Sequence, residues 1–193
     1  MLLISFFALI TIAFSQTFLK NSEGSQFAVL VAGSNNWWNY RHHADIFHAY
    51  HVLTDVYGMK PENIIVFAYD DIANNAKNAF KGKIFNKPDP KGPGVDVYKG
   101  VKIDYKGKDV TAINFLNVLK GDKEKMNNVG TGRVLESTKD DNVFIYMADH
   151  GAVGLFSFPN DELHAEDLLN TLKFMNANQK YKKLLFYLDA CES

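Results

Sequence analysis

The feature that most constrains this fold is a run without alternation, Phe27-Ala-Val-Leu-Val-Ala, ended by Gly33. A strand with one wet face alternates apolar and polar residues. An unbroken apolar run therefore predicts a strand buried on both faces, as in a parallel sheet. Further strands are expected over Asn63–Tyr69, Asn142–Ala148 and Lys183–Leu188, ending at Asp70-Asp71, Asp149-His150-Gly151 and Asp189. Helical spacing fills the intervals. One helix is expected over Tyr40–Tyr57, closed by Gly58, a second over Ala112–Leu119 started by Thr111, and a third over Glu162–Met175. Strands alternating with helices predict an α/β sandwich with a mostly parallel sheet. Residues 74–109 are rich in Asn, Lys, Gly and Pro and predict a long loop, with a small hairpin through Val95–Val101. A short ribbon is expected over Gly154–Phe158.

The first residues have a different character. Leu2 to Phe14 is apolar apart from Ser5 and Thr11, and Ala13-Phe14-Ser15 resembles a cleavage site. The stretch is shorter than the ~20 residues a spanning helix needs, so residues 1–15 read as a secretory signal peptide. Residues 16–26 then form a short linker or propeptide, and 27–193 the folded domain. Twenty-one basic and 22 acidic side chains leave a net charge of −1, which offers no electrostatic basis for a nucleic-acid or membrane partner. His42, His43, His48 and His51 fall close together, but the sole cysteine is far from them in sequence. Zinc sites want ligands at tight converging spacing, so neither a metal nor a cofactor is expected. Asp70-Asp71 is expected to serve a turn.

The chemistry-bearing residues stand at strand ends. His150 follows the third strand and Cys191 the fourth. If the helix between them is a crossover, the strands are parallel and about 4.8 Å apart, and imidazole and thiol meet at one sheet edge. A thiol is mostly protonated at neutral pH, and a nearby imidazole can accept its proton. Gly151 has no side chain to keep its backbone N–H from a substrate oxygen, and the N–H of Cys191 is a second donor. Asp149 is adjacent in sequence, but neighbours on an extended chain point to opposite faces, which makes it a poor partner for the His150 ring. Residue types and spacing alone leave a structural His–Cys pairing open beside a catalytic one.

Several ordered blocks decide between them. Val31-Ala-Gly-Ser-Asn, Asn39-Tyr-Arg-His42, Tyr69-Asp-Asp-Ile-Ala73, Asp149-His-Gly151, Phe158-Pro-Asn160 and Ala190-Cys-Glu-Ser193 resemble the legumain (asparaginyl endopeptidase) family of cysteine peptidases. The resemblance covers nearly all of the chain from Phe27 onward. It implies a caspase-like fold, lysosomal or vacuolar residence through the secretory pathway, and cleavage of peptide bonds after Asn and more weakly after Asp. It makes Cys191 the nucleophile, His150 the general base and acid, Gly151 part of the oxyanion hole and Asn39 the helper of the histidine. Arg41, His42, Asp189 and Glu192 fall at the substrate. Asp189 stands where the family usually has Glu. Protein and peptide substrates with Asn at P1, a C-terminal prodomain and cystatin-type inhibitors are the implied partners.

Two rival readings remain. The catalytic subunit of GPI transamidase shares the Asn-Tyr-Arg-His and His-Gly…Cys pattern, though it usually has Thr-Cys-Gln and Gly-His-Gly where this chain has Ala190-Cys191-Glu192 and Asp149-His150-Gly151. A non-catalytic truncated homologue acting by protein binding is the other. The sequence stops just past the fourth strand, so the sheet is expected to be incomplete at its C-terminal edge and the 193-residue piece alone nearly inactive.

Overall fold

The structure is a computed structural model and describes residues 24–192. The expected signal peptide lies outside the described residues, as does Ser193. Four strands, β1 (Gln26–Ala32), β2 (Ile64–Phe67), β3 (Asn142–Ala148) and β7 (Lys183–Asp189), form a parallel sheet in the order β2-β1-β3-β7. Alternate residues of one strand serve different cores. Ala28, Leu30 and Ala32 join Phe47, Tyr50 and Leu53 on one face, while Val29 and Val31 join Phe115, Leu119 and Met175 on the other. This double burial is why the run at Phe27 lacks polar residues. Helix α1 (Tyr40–His51) covers the first face, and α2 (Ala112–Lys120) with α3 (Ala165–Ala177) covers the second. The arrangement is the caspase-like α/β sandwich.

Local chemistry sets the helix limits. Thr111 accepts a hydrogen bond from the Asn114 N–H at 3.3 Å and starts α2, and Gly121, at φ 74°, ends it. Beyond His51 the first helix continues as a π-helical segment, Val52–Val56, so the helical stretch expected to Tyr57 changes pitch in its last turns. A second, antiparallel sheet departs from the expected short ribbon. It has three strands, β4 (Gly151–Ala152), β5 (Leu155–Ser157) and β6 (Glu162–His164), so the third helix begins three residues later than its spacing predicts.

The expected hairpin through Val95–Val101 does not form. Phe85 and Asp96 make one isolated bridge, and Pro88, Pro90 and Pro93 carry no N–H with which to extend a ladder. The buried Asn78 amide instead holds the long loop, donating to the carbonyls of Ala73 and Lys83 at 2.9 Å each. At the amino edge of the sheet, Asp141 accepts from the Ser25 N–H at 2.9 Å and from the Thr138 N–H and hydroxyl at 2.8 Å each. Its own carbonyl accepts from Lys182 N–H at 2.6 Å, so one residue staples the starts of β1, β3 and β7.

Candidate active site

Strand register brings the site together. Ala148 pairs with Asp189 in the parallel ladder of β3 and β7, and the Asp149 N–H donates to the Asp189 carbonyl at 3.1 Å. His150 and Cys191 therefore leave neighbouring strands from the same edge. Both are exposed. A Cβ placed on Gly151 would lie 2.6 Å from the Cys191 carbonyl oxygen and 3.0 Å from the Ala190 Cβ. The backbones of the two segments touch here, and only glycine permits it.

Asn39 occupies the N-cap position of α1, yet its side chain makes no capping bond. Its Nδ2 donates to the Asn35 carbonyl at 2.9 Å, which turns Oδ1 toward His150 Nε2, also at 2.9 Å. An amide oxygen only accepts, so Nε2 carries a proton, and in the neutral ring the lone pair is left on Nδ1. One asparagine thus fixes the histidine tautomer.

Asp149 turns the other way, as strand alternation dictates. Its Oδ1 lies 3.1 Å from the Nδ1 of His42, whose ring meets that of His150 edge-on with centroids 5.2 Å apart. His42 Nδ1 also contacts Ser34 Oγ at 2.8 Å. His42 and Asp149 are each 5% exposed, so they form a floor beneath His150.

The other expected substrate residues are spread around this floor. Arg41 is exposed, with Nη1 donating to the Trp38 carbonyl at 3.3 Å. Asp189 is exposed and accepts from the Tyr146 hydroxyl at 3.5 Å. Glu192, in the left-handed region at φ 59°, borders a separate apolar cavity of about 180 Å³ with Ala152, Leu155 and Leu188. The structure brings Asn39, His42, His150 and Gly151 together with Asp149. It sets Glu192 on another wall. Sequence reasoning gives Ser34 no role of its own, although it lies in the Val31-Ala-Gly-Ser-Asn block and directly after Gly33 at the carboxyl edge of β1.

His43 lies behind the site, fully buried, and Nε2 accepts from the Asp70 N–H at 3.2 Å. That bond requires neutral imidazole, so the 4.0 Å approach to Asp71 is no ion pair. Asp70 and Asp71 serve the turn: Asp70 (φ 66°) takes the Tyr98 hydroxyl at 2.8 Å, and Asp71 takes the Asn36 N–H at 2.6 Å. Burial pushes the His43 pKa down to about 4. An unfolded histidine, with a pKa near about 6.5, binds its proton first. Stability is therefore retained above about pH 6.5 and falls as pH drops toward about 4, by roughly 3 kcal/mol. A His43→Gln variant keeps an acceptor for Asp70 and is expected to flatten this slope. Urea unfolding across that range checks it; equal slopes in both proteins would contradict it.

The sequence comparisons agree on one family. A family model described as the peptidase C13 family matches residues 26–193. "Hemoglobinase" of Schistosoma japonicum is 56% identical over 168 residues, covering 87% of this chain and 37% of that protein. "Legumain" of Homo sapiens is 48% identical over 170 residues, covering 88% and 38%. "Vacuolar-processing enzyme delta-isozyme" of Arabidopsis thaliana is 50% identical over 175 residues, covering 90% and 36%. The chain thus spans little more than a third of the length of these relatives.

Proposed function

The chain belongs to the peptidase C13 family, and from that premise we propose that it carries the catalytic pair of a cysteine endopeptidase cleaving after Asn and, more weakly, Asp. The observation that carries the proposal is the in-register pairing of Ala148 with Asp189, which sends His150 and Cys191 out of one sheet edge.

In this reading His150 Nδ1 takes the Cys191 thiol proton, and the thiolate sulfur attacks the scissile carbonyl carbon. The carbonyl π electrons move onto oxygen, which the N–H groups of Gly151 and Cys191 stabilise. Collapse of the intermediate breaks the C–N bond as His150 gives its proton to the departing amine. Water then attacks the thioester with His150 as base, releasing the carboxylic acid and restoring the thiol. Asn39 keeps Nε2 protonated throughout. At P1 a carboxamide needs a donor for its oxygen and an acceptor for its nitrogen; Arg41 supplies the first and Asp189 the second. His42 supports the pocket from below. Lysosomal or vacuolar residence, prodomain control and cystatin-type inhibition belong to the same proposal, supported by the similarity to the legumains and the vacuolar-processing enzyme.

Fluorogenic Ala-Ala-Asn and Ala-Ala-Asp peptides, offered to the full-length protein and its Cys191→Ala variant in mild acid, test the function. Cleavage after Asn that vanishes in the variant is the expected result. A folded protein that cleaves neither peptide refutes the reading. Gly151→Ala gives a finer test, because the added methyl must displace the Cys191 backbone. Loss of an oxyanion donor typically lowers turnover about 10²–10³-fold. Alanine keeps the N–H but pushes it and the Cys191 segment apart, so a drop of that size is expected in kcat, with some loss of thermal stability from the backbone clash. An unchanged kcat would remove Gly151 from the oxyanion hole.

A further inference from the structure

We propose that His42, Asp149 and His150 form a binding site for a divalent transition-metal ion of the zinc type, and that the bound ion shuts the catalytic centre. The inhibition rests on the peptidase reading above; the binding does not.

One ligand atom from each of the three side chains lies within 4.8 Å of the others. His42 Nδ1 and Asp149 Oδ1 are the closest pair, at 3.1 Å. Two ligands on a tetrahedral zinc with bonds of about 2.0–2.1 Å stand about 3.4 Å apart, so this pair already has nearly chelating spacing. The bond to Asp149 is nonetheless unmade. Its Oδ1 is fully buried and accepts no hydrogen bond among the described residues, whereas His42 Nδ1 bonds to the Ser34 hydroxyl instead. A buried carboxylate oxygen facing an imidazole nitrogen, with no proton aligned between them, is an environment that a cation relieves.

Two nitrogens and one carboxylate oxygen suit zinc, cobalt or nickel. Magnesium and calcium prefer all-oxygen shells. His42 and Asp149 are held in the packed interior, while exposed His150 needs only rotation about its own side-chain bonds to close the site. Ser34 is no obstacle, because its hydroxyl is neutral, turns about one bond and gives up a single hydrogen bond. With its ring ligated, His150 can no longer accept the Cys191 proton. A fourth position stays open to water, as in sites with three protein ligands.

The competing arrangement is chelation by Cys191 and His150 alone, and the thiol distinguishes them. Cobalt titrated into full-length Cys191→Ala, followed by calorimetry and visible absorption, is expected to bind one ion with an affinity within about three-fold of the wild type. Paramagnetic shifts should appear on the His42 ring protons. Asp149→Asn keeps the shape and removes the charge, and is expected to bind at least ten-fold more weakly. Loss of binding in Cys191→Ala, or unshifted His42 protons, would overturn the site without relying on the Asp149 variant. In the wild type, zinc should lower kcat/KM at least ten-fold and a chelator should restore it. Full activity with the site occupied would overturn the inhibition. Metal binding by a protein that cleaves no peptide would support the site and refute the peptidase reading.

Discussion

Replacing His150 with alanine is expected to lower kcat/KM for an Asn-containing peptide by about four orders of magnitude, with the fold intact. The ring is exposed and packs edge-on against the His42 ring, so its removal leaves no buried cavity. What disappears is the proton acceptor for the thiol and the donor for the leaving amine, both of which act in the transition state. The loss should therefore fall on kcat. Asn39→Ala should produce a smaller loss, roughly ten- to a hundred-fold, because the ring survives but its tautomer is no longer fixed. Asn39→Asp keeps an acceptor 2.9 Å from Nε2 and adds a charge that favours imidazolium, so the acid limb of the pH–rate profile should move to higher pH. Stopped-flow turnover across pH checks both. If His150→Ala retained more than about a tenth of wild-type activity, another base would have to serve the thiol.

Asp141→Ala is expected to destabilise the protein by about 3–4 kcal/mol while leaving kcat unchanged at permissive temperature. Asp141 is 9% exposed, and its carboxylate accepts three hydrogen bonds, from Ser25 N–H, Thr138 N–H and the Thr138 hydroxyl. A hydrogen bond to a charged acceptor contributes about 1.5–3 kcal/mol, and buried N–H groups left without a partner add their desolvation cost. Asp141→Asn keeps one acceptor oxygen and should lose about half as much. Thermal unfolding measures the difference. A variant within about 0.5 kcal/mol of the wild type would mean that water replaces the carboxylate.

Strands buried on both faces were the legible part of the fold. β3 spans Asn142–Ala148, as its composition predicts, because each of its residues faces a packed layer or a neighbouring strand. The 162–164 segment reads as helix but forms a strand, because Leu163 suits a helix face and a strand face equally and its pairing with Phe156 decides which forms. Pairing is a tertiary event. The site divides similarly. His150, Gly151 and Cys191 announce themselves by standing at strand ends. The bond from Asn39 to His150 spans 111 residues, and no local period carries it. Asn39 stands at the N-cap position of α1, where an asparagine side chain commonly caps the helix; the turn of its amide toward the Asn35 carbonyl frees it for the histidine. The contact between His42 and Asp149 follows from the packing of α1 on the sheet, which spacing within either segment does not encode.

The Asp141 staple has an evolutionary consequence. The seven residues of β3 stand between it and the catalytic edge, about 23 Å at the rise of an extended strand. Changes that far apart, with no shared partners, combine additively. Stability gained at the amino edge is therefore a reserve that drift at the carboxyl edge can draw on, and substitutions that reshape the pocket but loosen the fold survive in a well-stapled lineage. A family built on this sheet can diversify its specificity at one end while its folding is secured at the other.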